Sequence, residues 1–239
     1  MRLHTRQWGE GDRVAVLVHG LMGDCRAFRH VGAALAERGW RAVAVDLPGH
    51  GRSPRDAHAT FDDVIDALVD AVPGQPALAL GHSLGAVVVG AALERLRPQR
   101  AIYVDVPFTP VSPLHTRAER ESLAADLAEG RAMRDTAALR RAHSTWDDED
   151  CRVEERAARL FDVPTAVSVR ASSARTQATV PSATAPSLMV HASPSRYVSD
   201  ERLAELRALG FETRGIPGAG HTVWYGHVTE FMTVLDAWL

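Results

Sequence analysis

The sequence predicts an α/β fold: a mostly parallel, doubly wound sheet with a helical insertion. Short continuous apolar runs recur along the chain, as in strands buried on both faces. They alternate with segments of helical periodicity, the signature of parallel strands joined by right-handed crossovers. The alternation stops in the middle of the chain and resumes near its C-terminal end. At 239 residues the length suits one domain of the larger α/β kind.

The elements follow in order. Val14 to Val18 reads Val-Ala-Val-Leu-Val, a buried strand ended by His19-Gly20. A helix is expected over Ala27 to Arg38, with Phe28, Val31, Ala34 and Leu35 on one face and Gly39 as its C-cap. Arg41 to Val45 repeats the strand pattern. Phe61 to Val72 is amphipathic, its stripe running through Val64, Ile65, Leu68 and Val69. Ala77 to Leu80 is a short strand, Ala86 to Leu96 a nearly all-apolar helix, and Ala101 to Val104 another strand.

From about Pro107 the character changes. Leu114 to Leu160 is rich in Arg, Glu, Asp and Ala at helical spacing, with few large apolar anchors, so thin helices lying over the body of the fold are expected. Ser172 to Ser187, rich in Ser, Thr, Ala and Pro, reads as a connector. Leu188 to His191 and Glu212 to Ile216 resume the strands, with helices at Glu201 to Leu209 and Val228 to Leu239. The expected organisation is a core over 1–110, a helical cap over 111–185 and the rest of the core over 186–239.

Composition narrows the function. A net charge of −3 and a pI near 6.4 give neither a basic footprint for nucleic acid nor a polybasic membrane anchor. No apolar run approaches the roughly 20 residues of a bilayer-spanning helix. The opening Met1-Arg2-Leu3-His4-Thr5-Arg6-Gln7-Trp8 lacks the apolar stretch of a signal peptide, so a cytoplasmic protein is expected. Cys25 and Cys151 stand far apart without metal-ligand spacing and read as reduced thiols. No metal site is expected. Every basic side chain other than histidine is arginine, from which no function follows.

Chemistry concentrates in three loops that end at one edge of the expected sheet. Gly81-His82-Ser83-Leu84-Gly85 lies between a strand and a helix. A turn that tight holds Ser83 in a strained conformation with its hydroxyl above the sheet, and the two glycines avoid backbone clashes. The helix N-terminus places partial positive charge beneath a developing anion. A hydroxyl needs a base, and of the 11 histidines His221 has the setting for it, after Gly218-Ala219-Gly220 at the same sheet edge. His19-Gly20-Leu21-Met22-Gly23 follows the first buried strand. Its Leu21 N–H, with that of Leu84, can form an oxyanion hole.

Four segments in order then carry a resemblance. His19-Gly20, Asp46-Leu47-Pro48-Gly49-His50-Gly51-Arg52-Ser53, Gly81-His82-Ser83-Leu84-Gly85 and Gly218-Ala219-Gly220-His221 resemble those of α/β-hydrolase-fold proteins over nearly the whole chain. The resemblance implies a Ser-His-acid triad, a cap formed by the insertion and no cofactor; Asp46 and Arg52 would shape a loop. In most relatives the acid follows the strand before the last strand–histidine unit. Here that place falls on or near Ser195, and the first carboxylate beyond it is Asp200, at a helix start. Some relatives carry the acid after the strand that follows the nucleophile helix, where this chain has Asp105. Asp105 is favoured over Asp200, because a carboxylate ending a buried apolar run needs a partner such as an imidazole N–H.

The expected function is serine hydrolysis of a small-molecule ester or lactone, with Ser83 as nucleophile, His221 as base and Asp105 as acid. A thioester substrate, a cofactor-free lyase or C–C hydrolase, and a non-catalytic ligand receptor on the same fold stay open. Phe108, Met133 and Trp146, in or beside the insertion, are the expected pocket residues, with Leu114 alongside. Oligomeric state is not legible.

Overall fold

A computed structural model describes residues 1–109, 111–173, 181 and 184–239. Among them, seven strands make one sheet in the order β1-β3-β2-β4-β5-β6-β7. The strands are β1 (Thr5–Trp8), β2 (Arg13–Val18), β3 (Trp40–Val45), β4 (Leu78–His82), β5 (Arg100–Val104), β6 (Ser187–Ser193) and β7 (Glu212–Pro217). All neighbouring pairs are parallel except β1 with β3. The expected α/β sheet is therefore present, with one strand more than the apolar runs disclosed. β1 is an edge strand of Thr-Arg-Gln-Trp, three of its four residues exposed, so it carries no apolar run.

Burial on both faces explains the central runs. Val16 and Val18 face a layer built on α2 (Phe61–Ala71) and α3 (Leu84–Leu96), while Ala15 and Leu17 face the layer of α1 (Arg29–Glu37). The first helix begins as a 3-10 turn at Cys25–Phe28, capped by the Asp24 carboxylate, before α1 proper. Gly39 then takes φ +76° where the chain reverses into β3.

The insertion comprises α4 (Arg117–Ala132), α5 (Thr136–Ala142), α6 (Asp148–Leu160) and α7 (Val163–Ser172). A capping box opens both α4 and α6. Leu127, Phe161 and Ala166 give these helices a small core that also takes in Met22 of the body. Of the connector expected at 172–187, residues 174–180, 182 and 183 lie outside the described residues. After β6 come α8 (Asp200–Ala208) and, following β7, α9 (Val228–Trp238). Among the described residues no helix is long and apolar enough to cross a membrane. Cys25 and Cys151 are both buried and free.

Two buried histidines tie the loops at the C-terminal edge of the sheet. His19 Nε2 accepts the Leu47 N–H at 3.0 Å while Nδ1–H donates to the Gly20 carbonyl at 2.8 Å, so the neutral ring joins the loops after β2 and β3. His50 Nδ1–H donates to the Pro48 carbonyl at 2.9 Å. The Asp46 carboxylate accepts the Cys25 and Arg52 N–H groups, the loop-shaping role expected of this segment.

Burial depresses the pKa of both rings, that of His50 to about 3 with the neighbouring His19 adding to the effect. The unfolded chain takes up these protons below about pH 6.5, so stability falls as the pH drops from 6.5 toward 3. Between pH 7 and pH 5, His50 alone should cost about 2 kcal/mol in urea unfolding. His50→Asn should flatten that slope, and an unchanged slope in the variant would contradict the assignment.

Candidate active site

β4 delivers Ser83 directly onto α3. Its backbone sits at φ +50°, ψ −115°, a conformation that costs a non-glycine residue on the order of 1–3 kcal/mol. The surroundings hold it there: the Ser83 N–H donates to the Val104 carbonyl at 3.0 Å, and the Ala86 N–H donates to the Ser83 carbonyl at 3.0 Å. A Cβ on Gly81 would lie 2.6 Å from the Ala86 nitrogen, and one on Gly85 2.6 Å from the His19 carbonyl oxygen. Helix α3 begins at Leu84 rather than at the expected Ala86, so the Leu84 N–H belongs to the first turn, whose N–H groups have no intrahelical acceptor.

Asp105 follows β5 with φ +48° and is 1% exposed. Its carboxylate has three donors: His221 Nδ1–H to Oδ2 at 2.8 Å, and the Ser195 hydroxyl at 2.8 Å and Ala192 N–H at 3.2 Å to Oδ1. Donation from Nδ1 leaves the His221 Nε2 lone pair free to act as a base. Ser195, on or near the place where the resemblance set the usual acid, donates to the Asp105 carboxylate instead. Asp200 is exposed in the first turn of α8, behind the Ser199 cap.

His221 lies in the loop between β7 and α9. His82 Nε2–H donates to its carbonyl at 2.9 Å, and the Tyr197 ring lies 4.1 Å from its imidazole, centroid to centroid. Burial, with His221 adjacent, keeps the His82 pKa well below its ordinary value, so His82 is a neutral donor. His82 and Tyr197 brace the histidine, and the sequence alone assigned neither this part.

Two cavities meet at Ser83 and Leu21. One, of about 330 Å³, is walled mainly by apolar side chains, among them Phe61, Val87 and Phe108 of the body, Leu127 of α4 and Val169 of α7. The other, of about 340 Å³, is bounded by Gly20, Gly130, Arg134, Glu154, Tyr197 and His221. Arg134 pairs with Glu154 at 2.8 Å, and the Tyr225 hydroxyl also donates to Glu154 at 3.1 Å. Burial raises the Glu154 carboxyl above its ordinary value despite the arginine beside it. The insertion therefore walls both cavities.

The expected pocket residues divide. Phe108 lines the apolar cavity, its ring edge-on to Tyr103. Met133 lines neither cavity; it caps α4 and is 61% exposed. Trp146 lines neither as well. It stacks on His143 at 3.8 Å and meets Tyr225 edge-on at 4.9 Å, covering the body instead of the site. Residues of α7 that form the far wall gave no signal in the sequence, because the packing of α7 onto α2 and α4 decides which face turns inward.

Among the described residues two clusters have the donor types of a metal site, and both are committed elsewhere. Arg29 already pairs with Asp147 and Asp150 beside His30. In the cluster of His4, Cys25 and Asp46, backbone N–H groups occupy the carboxylate, and burial raises the Cys25 thiol pKa, which disfavours the thiolate a metal needs.

Residues 15–232 match the model of the alpha/beta hydrolase family. A 2-succinyl-6-hydroxy-2,4-cyclohexadiene-1-carboxylate synthase of Escherichia coli is 34% identical over 110 residues, which are 44% of this chain. The match spans 43% of that enzyme, less than half its length. An esterase from Exiguobacterium antarcticum superposes with a TM-score of 0.74 at 16% identity, covering 99% of this chain and 94% of the other. An E-2-(acetamidomethylene)succinate hydrolase does so with a TM-score of 0.74 at 20% identity, covering 98% and 94%. At such identities the two structures speak for the fold. Sheet order, strand-to-helix turn and the family match over nearly the whole chain agree, and the chain belongs to the alpha/beta hydrolase family.

Proposed function

We propose that this protein is a serine hydrolase that cleaves a carboxylic ester-type bond of a small molecule through an acyl-enzyme on Ser83. The observation that carries the reading is the 2.8 Å bond from His221 Nδ1 to the buried Asp105 carboxylate, at the wall of a cavity that Ser83 shares. In this reading Asp105 holds the tautomer in which Nε2 is the base. Nε2 takes the Ser83 proton as Oγ attacks the carbonyl carbon, and the Leu21 and Leu84 N–H groups receive the negative charge on oxygen. The tetrahedral adduct collapses with cleavage of the bond to the leaving oxygen, which takes the proton back from Nε2. Water, deprotonated by Nε2, then attacks the acyl carbon, and Ser83 leaves with that proton.

The cavities support a division of the substrate. His221 borders the polar cavity and not the apolar one, and it must reach the leaving oxygen. The alcohol therefore sits on the polar side and the acyl chain in the apolar cavity, where burying each methylene contributes roughly 0.8 kcal/mol.

A second reading draws on the partial match to the cyclohexadiene-carboxylate synthase. In it Ser83 and His221 move protons in a cofactor-free elimination and no acyl-enzyme forms.

A fluorophosphonate should label wild-type protein on Ser83 and leave Ser83→Ala unlabelled. Folded wild type that stays unlabelled would refute the hydrolase reading. With activated esters, Asp105→Asn should lower kcat about 10⁴-fold through loss of the correct tautomer, whereas Asp200→Asn should retain wild-type turnover; the reverse ranking would remove Asp105 from the triad. Val87→Phe, which fills the apolar cavity, should lower kcat/KM for an octanoyl ester at least about tenfold relative to an acetyl ester. An equal loss on both would place the acyl chain elsewhere.

A further inference from the structure

Helix α7 turns Ala166, Val169 and Arg170 toward the apolar cavity, three positions on one helical face. Arg170 is the one charged side chain among the described residues of that wall. The Arg170 Nη2 donates to the Ser112 carbonyl at 2.8 Å, while Nη1 is buried and has no hydrogen-bond partner among the described residues. Among the described residues no carboxylate forms an ion pair with it. Desolvation depresses the guanidinium pKa, with no acidic neighbour to offset it. Arg134, the other arginine at the site, is by contrast already neutralised by Glu154. His50 Nε2 also lacks a partner in the apolar wall, but a neutral imidazole carries no charge with which to select for an anion.

We infer that Arg170 is a specificity residue for an acyl group that ends in an anion, so that the substrate class is a monoester of a dicarboxylic acid or a closely similar acyl group with a distal carboxylate. The inference rests on the hydrolase reading above for the ester, and on the unpaired guanidinium for the anion. The apolar walls hold the methylene chain, and the distal carboxylate supplies the acceptor that Arg170 lacks. One of its oxygens can accept from Nη1 while Nη2 stays on the Ser112 carbonyl. A neutral chain of equal length would offer Nη1 no acceptor.

The test compares mono-4-nitrophenyl adipate with 4-nitrophenyl hexanoate, acyl chains of equal length that differ by the distal carboxylate. Wild type should favour the adipate ester in kcat/KM by about tenfold or more, mainly through KM. Arg170→Gln should bring that ratio close to unity, and Arg170→Lys should restore part of it. Thermal melts of each variant check that it folds. A wild-type preference for hexanoate, or a ratio unchanged in Arg170→Gln, overturns the inference while leaving Ser83 labelling and the hydrolase reading intact. If neither ester acylates Ser83, the hydrolase reading fails, and calorimetric titration of Ser83→Ala with monomethyl adipate and methyl hexanoate decides the anion question separately. Tighter binding of the anion that Arg170→Gln abolishes upholds it, and equal binding overturns it.

Discussion

A carboxylate that is 1% exposed at the end of a buried strand is the feature on which the site depends. Asp105 would be costly there without donors, since leaving one buried charge of a pair unmatched costs on the order of 3–5 kcal/mol. Three donors meet it, and they come from different parts of the chain: the loop after β7 gives His221, the loop after β6 gives Ser195, and β6 itself gives the Ala192 N–H. Satisfying this one anion therefore fixes where two loops run and which nitrogen of His221 carries the proton. Stability and chemistry share the same hydrogen bonds.

The second constraint is steric. Val18 and the loop after it press against α3 so closely that only hydrogen fits at Gly85, and the turn closes so tightly that the same holds at Gly81. Ser83 takes a positive φ because its neighbours leave the chain no other path from strand to helix. Histidines complete the edge without charge. His19 bridges two loops, and His82 supports the carbonyl of His221; burial depresses the pKa of both. An imidazolium ion at either position would need a counter-charge, and of the two His82 stands directly beside His221.

What the sequence disclosed and what it hid follow from the range of the interactions. Runs such as Val14–Val18 are dictated by burial on both faces and are visible locally. β1 is not, because an exposed edge strand of polar residues needs only backbone pairing with β3. The elbow glycines and Gly218, which takes φ +74°, were legible because backbone geometry demands them. Asp105 stood out as an isolated carboxylate ending an apolar run, and in the structure it accepts a hydrogen bond from His221 Nδ1. The cap was not legible at the same level. Its helices were expected, but whether Met133, Trp146 or Arg170 faces the cavity depends on how α4, α6 and α7 rotate over the body, and local periodicity in a charged, alanine-rich segment does not set that angle. Tyr197 escaped notice for a similar reason, since its contact with His221 joins loops that only the sheet brings together.

Two cavities of similar size meet at one serine, and the one that His221 borders is the more polar of the two; the proposed division of the substrate follows from that difference. The central claim is that a covalent bond to Ser83 Oγ lies on the reaction path. Acid-quenching the protein during turnover of an activated ester, followed by peptide mass spectrometry, tests this most directly. The account predicts an added acyl mass on the peptide containing Ser83, formed within the first turnover and lost as hydrolysis proceeds. Turnover that proceeds at full rate while Ser83 stays unmodified under every quench time would contradict it.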